Sequence, residues 1–291
     1  KIPLNKNEDG SNNYFEFPYY FYDYQLKANL DINANHRLTY SRFYGDDVLY
    51  YDFDETDNYS DSNVNVKQDF QFGIDWPWGN KTNGLTWRWI MSPELISKTF
   101  ISNSYYRFNF NLGFDQKNTY TYSDSAIAVF QNIDYSVFDK INDNTIETEI
   151  TWKADDRHEI TGGFQFKDVS YDLGIGIGIE TQDTVFNFSP LGLKNKTRET
   201  SLYAQDKISY SDKLKLQLGF RATDYNLHNK IYMDPRIGIK YHYNSDLALK
   251  LNWGIYHQFL TTANNQDENL RLVELWLSLI HISEPTRRRG I

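Results

Sequence analysis

Residues 100–115 read FISNSYYRFNFNLGFD, and large apolar side chains alternate with polar ones along this stretch. One parity carries Phe100, Tyr106, Phe108, Phe110, Leu112 and Phe114. The other parity carries Asn103, Arg107, Asn109, Asn111, Gly113 and Asp115. A period of two residues is that of a β-strand with one apolar and one polar face. The stretch therefore predicts a long strand.

The same alternation recurs along most of the chain. It is found at residues 22–30, 85–91, 146–153, 213–222, 236–243 and 247–255. These stretches are longer than the roughly 5 to 6 residues of a common strand in a globular protein. A strand that crosses a bilayer at a tilt needs about 9 to 11 residues, with apolar side chains toward lipid and polar ones toward a lumen. The length therefore favours membrane-spanning strands over a soluble sandwich.

Composition narrows the class further. The 291 residues are 17% aromatic but only 40% hydrophobic, and no run of 18 or more apolar residues is present, which excludes a protein that spans a membrane by helices. The net charge of -9 disfavours nucleic acid as a partner. The absence of cysteine excludes a disulfide scaffold, a thiolate metal site and a catalytic cysteine.

The connections between these stretches are of two kinds, short and long, and the two kinds alternate along the chain. Short turns are predicted at residues 31–37, 92–95, 154–158, 210–213 and 243–246. Long polar loops are predicted at residues 45–81, 115–143, 173–197 and 225–233. Short turns on one side and long loops on the other are typical of outer-membrane barrels. The sequence thus predicts an all-β, antiparallel, up-and-down transmembrane β-barrel fragment: about ten long strands in five hairpins, forming an open curved sheet.

Two charged residues do not fit the alternation. Arg42 shares the parity of Leu38 and Tyr40, and Asp206 shares that of Leu202. Asp206 is close to a predicted turn, where a charge near the interface costs little. For Arg42 we expect a β-bulge that shifts the strand by one residue.

Several short stretches, taken in order, resemble the barrel of a TonB-dependent outer-membrane receptor of the Bacteroidota type. They are residues 36–39, 44–47, 78–80, 87–89, 92–95, 201–206, 234–241, 258–260 and 272–276. The resemblance implies an outer-membrane location in a Gram-negative bacterium and a plugged barrel of about 22 strands. It also implies import of a bulky ligand (a metal chelate, peptide or glycan) with energy from an inner-membrane complex. The implied partners are outer-membrane lipid, a plug domain, the TonB complex and the imported ligand.

The resemblance covers residues 14–276 and leaves the two ends of the chain outside it. Residues 1–13 are interpreted as the remnant of a polar loop. Residues 277–291 read LSLIHISEPTRRRGI and resemble a translated sequencing adapter, so we interpret them as a non-native tail. The alternative is a natural basic tail. On this interpretation the plug and the segment that contacts TonB lie outside this chain.

An acidic stretch at residues 45–66 is the best candidate for ligand contact, in a predicted extracellular loop. Its candidate residues are Asp46, Asp47, Asp52, Asp54, Glu55, Asp57 and Asp61, with Tyr50 and Tyr51. Carboxylates beside aromatic rings bind a cation, or hydrogen-bond and stack against a sugar or peptide. The alternative is an ordinary solvated loop.

Basic residues on the polar parity predict a positive lumen wall. They are Arg88, Arg107, Lys207, Lys215, Arg221, Arg236 and Lys240. In a plugged receptor such a wall faces the polar surface of the plug, and direct ligand contact is the alternative. A hydrated lumen tolerates these charges.

Enzymatic function is the main competing class. His36 and His158 fall in short turns and His242 lies beside one, which leaves His228 and His257. The sequence places no serine or carboxylate near them, so we expect no catalytic residue, no metal site and no cofactor. A self-contained barrel that acts as an envelope hydrolase, a passive porin or an adhesive barrel stays the alternative. A closed barrel pairs its first strand with its last, whereas a fragment leaves two open edges.

Overall fold

The computed structural model describes residues 2–6, 12–15, 18–61, 64–263 and 275–278, with side chains for 18–61 and 64–259. These residues form strands and turns only. The strands are β1 (Ile2–Lys6), β2 (Asn12–Phe15), β3 (Tyr19–Asp31), β4 (His36–Asp61), β5 (Val64–Ser92), β6 (Leu95–Thr121), β7 (Ala126–Lys153), β8 (His158–Thr181), β9 (Val185–Ser209), β10 (Leu214–Tyr225), β11 (Ile231–His242), β12 (Ala248–Gly254), β13 (Leu260–Ala263) and β14 (Leu275–Ser278). No helix in the described part of the chain is long and apolar enough to cross a membrane.

Strands β3 to β12 form one antiparallel sheet in which each strand pairs with its neighbours in sequence. The prediction of ten up-and-down strands in five hairpins is confirmed. The sheet is open, because β3 and β12 are its two edges and do not pair with each other. Strands β1 and β2 pair separately, as do β13 and β14.

The predicted long loops are wrong in one respect, since most of their residues belong to strands. Strands β4 to β9 are 24 to 29 residues long. The β4–β5 ladder continues without a break to the pair Asp61 and Val64. A residue in a strand adds about 3.3 Å, so these hairpins extend far beyond the height of a bilayer. Their backbone groups are satisfied by the ladder, which an irregular loop of this length does not offer.

Parts of both chain ends belong to short strands. Residues 2–6, within the predicted polar loop remnant, form β1. In the predicted non-native tail, residues 277 and 278 belong to β14, and residues 279–291 lie outside the described residues.

Cross-strand pairing sorts the side chains of the sheet onto two faces. One row of directly paired residues is Arg37, Arg88, Lys98, Glu149, Gly163, Tyr203, Arg221 and Asp234. The adjacent row, on the other face, is Leu38, Trp87, Thr99, Thr148, Phe164, Leu202, Ala222 and Met233. We call the face of Arg221 the inner face and the face of Leu202 the outer face.

Burial differs strongly between these faces. On the inner face Ser201 and Tyr225 are 1% exposed and Asp234 is 4% exposed, whereas on the outer face Leu202 is 62% exposed and Met233 is 58% exposed. Side chains of a single sheet are sheltered when the sheet curls over them. The inner face is therefore the concave face.

An apolar belt covers the outer face near the short turns. It consists of Leu38, Tyr40, Leu85, Trp87, Ile101, Ile146, Ile150, Phe164, Phe166, Leu202, Leu218, Phe220, Ile237, Leu251 and Trp253. Leu85, Ile101 and Ile237 are each 41 to 49% exposed. Exposed apolar side chains in a continuous belt suit contact with hydrocarbon, and a soluble protein rarely exposes a patch of this extent.

Arg42 marks the end of this belt. It lies in a polar row across the outer face, formed by Arg42, Asn83, Asn103, Asn144, Asp168 and Arg198. The register of β4 with both neighbours is continuous through Arg42, so the predicted bulge is wrong. Arg42 donates hydrogen bonds to Asn83 Oδ1 at 3.2 Å and to the Tyr24 hydroxyl at 2.9 Å. These hydrogen bonds stabilise the Arg42 guanidinium on the outer face, and no shift of strand register is needed.

Asp206 is the second charge on the apolar face. It lies near the short turn after β9, as predicted, and its Oδ2 is 2.7 Å from Nδ1 of His158 on β8. The sequence did not indicate this partner, because 48 residues separate the two side chains.

Candidate ligand-binding face of the sheet

Beyond the polar row the inner face becomes aromatic. We call Tyr19, Phe72, Trp76, Trp78, Phe108, Phe110, Phe114 and Tyr135 the aromatic patch. The ring centroids of Trp76 and Phe110 are 5.3 Å apart in an edge arrangement, and those of Phe72 and Phe114 are 5.0 Å apart. Phe108 is 5% exposed. Edge and offset ring pairs stabilise such clusters beyond the area that they bury.

Aliphatic side chains continue the apolar surface across β7, β8 and β9. They include Val137, Ile175, Ile177, Leu173, Leu191 and Leu193, and Val137 and Leu173 are 1% and 0% exposed. The Gly–Ile alternation of residues 173–179 is part of strand β8, with isoleucine on the inner face and glycine on the outer face. At Gly174 a Cβ atom would lie 2.8 Å from the Phe138 ring, so a larger residue there would displace that ring.

The apolar and polar side chains of residues 100–115 therefore face the opposite way from the prediction for a barrel with an apolar outer surface. Phe100 pairs with Thr86 and Phe108 with Trp78, so the aromatic parity of β6 lies on the inner face throughout. Arg107 is on the opposite face, where it pairs with Gly79. The prediction that Arg107 faces the lumen is not met, because the apolar and polar faces exchange at the polar row.

The predicted acidic candidates are split between the faces of β4. Asp46, Tyr50, Asp52 and Asp54 lie on the outer face, and Asp47, Tyr51, Glu55, Asp57 and Asp61 lie on the inner face. They belong to an extended hairpin and not to a loop. Among the described residues no group of three or more His, Asp or Glu side chains is placed to hold a metal ion. Alternation along a strand separates neighbouring carboxylates, which is why they do not converge.

Asp46 is the one acid of this stretch that is deeply buried, at 4% exposure. Its Oδ2 accepts hydrogen bonds from Arg107 Nη2 at 2.9 Å and from the hydroxyls of Tyr22, at 3.2 Å, and Tyr44. The hydrogen bond to Asp46 raises the pKa of the Tyr44 phenol. Asp46 thus acts as a structural anion on the outer face and does not point toward the concave surface.

On the inner face, Asp47 lies beside the aromatic patch. It accepts a hydrogen bond from the Tyr19 hydroxyl, which raises the pKa of that phenol. Tyr19 in turn stacks on Trp78, with ring centroids 5.9 Å apart. A carboxylate beside stacked rings combines hydrogen-bonding and apolar contact in one place.

Six of the seven predicted lumen bases share the inner face. They are Arg88, Lys207, Lys215, Arg221, Arg236 and Lys240. Lys207 forms an ion pair with Glu159 at 2.7 Å. Lys215, Lys240 and Lys250 are direct cross-strand neighbours on β10, β11 and β12, and they line a 630 Å³ cavity together with Asp155, Asp156 and Glu159. Like charges directly opposite each other are unfavourable, so this row of lysines favours an anionic partner.

The two candidate histidines, His228 and His257, are hydrogen-bonded to neighbouring side chains. His257 Nδ1 lies 2.5 Å from Oδ1 of the buried Asp234, and His228 is hydrogen-bonded to the Tyr232 hydroxyl. An acid therefore does lie near His257, which the sequence did not indicate. Within the described side chains, however, no serine hydroxyl is hydrogen-bonded to either ring. The same cluster contains Phe259, whose ring stacks on that of Tyr225 with centroids 4.4 Å apart.

Comparison with known proteins agrees with the fold. The sequence matches the family model described as "TonB dependent receptor-like, beta-barrel" over residues 3–265. A search of curated proteins gave no significant match.

Solved structures with a similar arrangement are distant in sequence. A mutant of the ferric enterobactin receptor PfeA from Pseudomonas aeruginosa is 8% identical, with a TM-score of 0.35, covering 86% of this chain and 45% of that one. The RagAB peptide transporter is 8% identical, with a TM-score of 0.42 and coverages of 89% and 40%. The siderophore receptor PirA from Acinetobacter baumannii is 9% identical, with a TM-score of 0.31 and coverages of 80% and 42%.

The chain spans less than half of each of these three solved chains. The family model, in contrast, matches far more than half of this chain. The chain therefore belongs to the family of TonB-dependent receptor-like β-barrels, whose members are transporters, not enzymes, of the Gram-negative outer membrane.

Proposed function

We propose that this chain is part of an energy-coupled outer-membrane transporter that imports a bulky ligand, such as a metal chelate, a peptide or a glycan. The observation that carries the proposal is the aromatic patch on the concave face, beyond the end of the apolar belt. A surface of this kind, sheltered and yet outside the level of the membrane, suits capture of a large ligand from the medium. The receptors PfeA and PirA and the peptide transporter RagAB are named for such ligands.

We place ligand contact on the aromatic patch and on the inner-face members of the acidic stretch. Asp47 and Tyr51 lie next to Trp78 and Phe72, so polar and apolar contacts meet there. Glu55, Asp57 and Asp61 continue this face toward the tip of the hairpin. The outer-face members, Asp46, Tyr50, Asp52 and Asp54, are not part of the proposed ligand surface.

Nearer the short turns, the basic inner face is the proposed contact for a plug domain. The row of lysines formed by Lys215, Lys240 and Lys250 favours carboxylate partners on a plug domain. Two further bases, Arg88 and Arg221, extend the positive surface. The two open edges, β3 and β12, support the proposal that further strands complete the barrel. An unpaired edge inside a bilayer costs several kcal/mol for each unsatisfied backbone group.

Energy-dependent uptake tests this function. Cells that produce the protein and cells that lack its gene are given a labelled siderophore complex, an oligopeptide and an oligosaccharide. We expect one class to enter much faster when the protein is present, and a protonophore to abolish this difference, because a plugged barrel opens only with inner-membrane energy. The measurement is the initial rate of uptake.

The same experiment distinguishes the alternatives. Uptake that the protein accelerates equally with and without the protonophore identifies a passive porin. Conversion of an external substrate without uptake identifies an envelope hydrolase. Either result overturns the proposed transporter.

A further inference from the structure

The inner face of strands β3 to β9 has charges of one sign in its outermost part. Beyond the row that contains Lys27 and Lys167, the described residues of this face include carboxylates but no lysine or arginine. The carboxylates are Asp23, Asp47, Glu55, Asp57, Asp61, Asp139 and Asp143. The bases of the same strand segments all lie on the outer face: Arg42, Lys67, Lys81, Arg107, Lys117, Lys140, Lys194, Lys196 and Arg198. The proposed ligand surface is therefore negative throughout.

The negative charge flanks the aromatic patch on both sides. Asp47, Trp78, Phe108 and Asp139 are direct cross-strand neighbours on β4, β5, β6 and β7. Neighbouring strands are about 4.8 Å apart, so the two carboxylates lie about 14 Å from each other with the two rings between them. Asp139 is 0% exposed. A charge that is removed from water is screened less, so its field extends over the surface around it.

The rings between these carboxylates select for the same sign of charge. Trp76, Trp78 and Phe110 are half-buried, so part of each ring stays open to a ligand. An ammonium or guanidinium group within about 6 Å of an aromatic ring is attracted to its negative face. An anion is repelled both by that face and by the carboxylates. The surface therefore favours a cationic ligand and disfavours an anionic one, such as a ferric catecholate complex.

Two polar atoms of this face also lack a hydrogen-bond partner. They are Nε1 of Trp76 and the hydroxyl of Tyr171, both shielded from water, and Tyr171 as a whole is 1% exposed. An indole N–H is a donor only, and a phenol is a donor as well as an acceptor. A buried donor without an acceptor is unfavourable, so the two groups favour a ligand that brings acceptors of its own. The backbone carbonyls of a peptide are such acceptors.

We propose that the concave face selects a cationic oligopeptide that also carries apolar side chains. Positive side chains of the peptide lie beside Asp47 and over the rings of Trp76 and Trp78, and its apolar side chains contact the aromatic and aliphatic surface. This inference rests on the proposed function, because it assigns one ligand class to the same surface. Charge complementarity identifies the peptide as basic, and the rings and unpaired donors distinguish it from a simple polyamine.

Binding to the purified protein tests the ligand class separately from transport. The protein is extracted from outer membranes in mild detergent, and the anisotropy of short labelled peptides is followed at low ionic strength. The peptides carry lysine, glutamine or glutamate at the same positions among alanine and phenylalanine residues. We expect the lysine peptide to bind most tightly and the glutamate peptide least tightly.

Two double variants that remove the same charge from one hairpin locate the effect. Asp47→Asn with Glu55→Gln acts on the inner face, and Asp52→Asn with Asp54→Asn acts on the outer face. We expect the inner-face variant to reduce the preference for the lysine peptide over the glutamine peptide roughly five- to tenfold, and the outer-face variant to leave it unchanged. Asp47→Glu with Glu55→Asp keeps both charges and is expected to keep the preference, which makes the test valid if the neutral variant folds poorly.

Three results would overturn this ligand class. One is an equal loss in the two neutral variants, because the net charge of -9 would then attract the peptide without a specific site. The second is tighter binding of the glutamate peptide or of a ferric catecholate. The third is equally strong competition by a polyamine of the same charge as the peptide.

The uptake assay distinguishes failure of this inference from failure of the proposed function. Energy-dependent uptake of a ferric catecholate alone contradicts the peptide and leaves the transporter in place. Preferred binding of the lysine peptide without energy-dependent uptake contradicts the transporter and leaves the ligand class in place.

Discussion

Ile237→Arg is expected to deplete the folded protein from the outer membrane. Ile237 lies in the middle of the apolar belt on β11, is 44% exposed, and pairs with Leu218 and Trp253. An arginine that faces lipid at mid-membrane costs roughly 2 to 4 kcal/mol. This shifts the folding equilibrium by roughly thirty- to several-hundred-fold. The measurement is the amount of heat-modifiable protein in the membrane fraction.

The matched control is Thr161→Arg. Thr161 lies on the inner face, in the same cross-strand row as Arg236, the residue next to Ile237. An arginine there points into the concave, polar surface, so we expect near-normal amounts of folded protein. If both variants are tolerated, or if Thr161→Arg is the more damaging, the outer face is not the lipid face.

Trp76→Ala combined with Phe110→Ala is expected to reduce ligand uptake about tenfold or more while the protein stays in the membrane. The two rings pack edge to face at 5.3 Å at the centre of the aromatic patch. Aromatic anchors of this kind dominate binding energies, and each ring contributes beyond its buried area. The measurement is the apparent affinity in the uptake assay, corrected for the amount of folded protein.

Asp52→Asn combined with Asp54→Asn serves as the comparison. These acids belong to the same hairpin but lie on the outer face. We expect their replacement to leave uptake unchanged. Uptake that depends on the two acids and not on the two rings would move the ligand surface to the other face of the sheet.

The sequence predicts the architecture of this sheet well because period-two alternation directly reflects the pleat of a strand. Strand number, antiparallel order and the open sheet were all predictable. The extent of the strands was not, since polar hairpin residues such as Asp52 and Asn111 look like loop residues when their cross-strand partners are unknown. A ladder is a long-range property, and only the pairing reveals it.

The candidate site was harder to predict for a related reason. The outer face is apolar in the belt and polar beyond the polar row, and the inner face changes in the opposite sense. An apolar parity therefore does not by itself identify one face of the sheet. Phe108 and Arg107 illustrate this: the alternation is clear, but it does not say which side of the sheet each parity occupies. Trp76 and Trp78 flank Pro77 in a segment that was predicted to be a loop, so their membership of the aromatic patch went unrecognised.

Cysteine accessibility along the outer face of β6 shows whether this face changes from apolar to polar at the polar row. The chain has no cysteine of its own, so single substitutions report without background. Ile101→Cys lies in the apolar belt and Thr99→Cys lies beside it on the same face, whereas Asn109→Cys and Asn111→Cys lie on that face beyond the polar row. In intact outer membranes, a water-soluble maleimide is expected to label the second pair and spare the first. Equal labelling of all four positions, or labelling of Thr99→Cys and Ile101→Cys alone, would show that the outer face does not change character at the polar row.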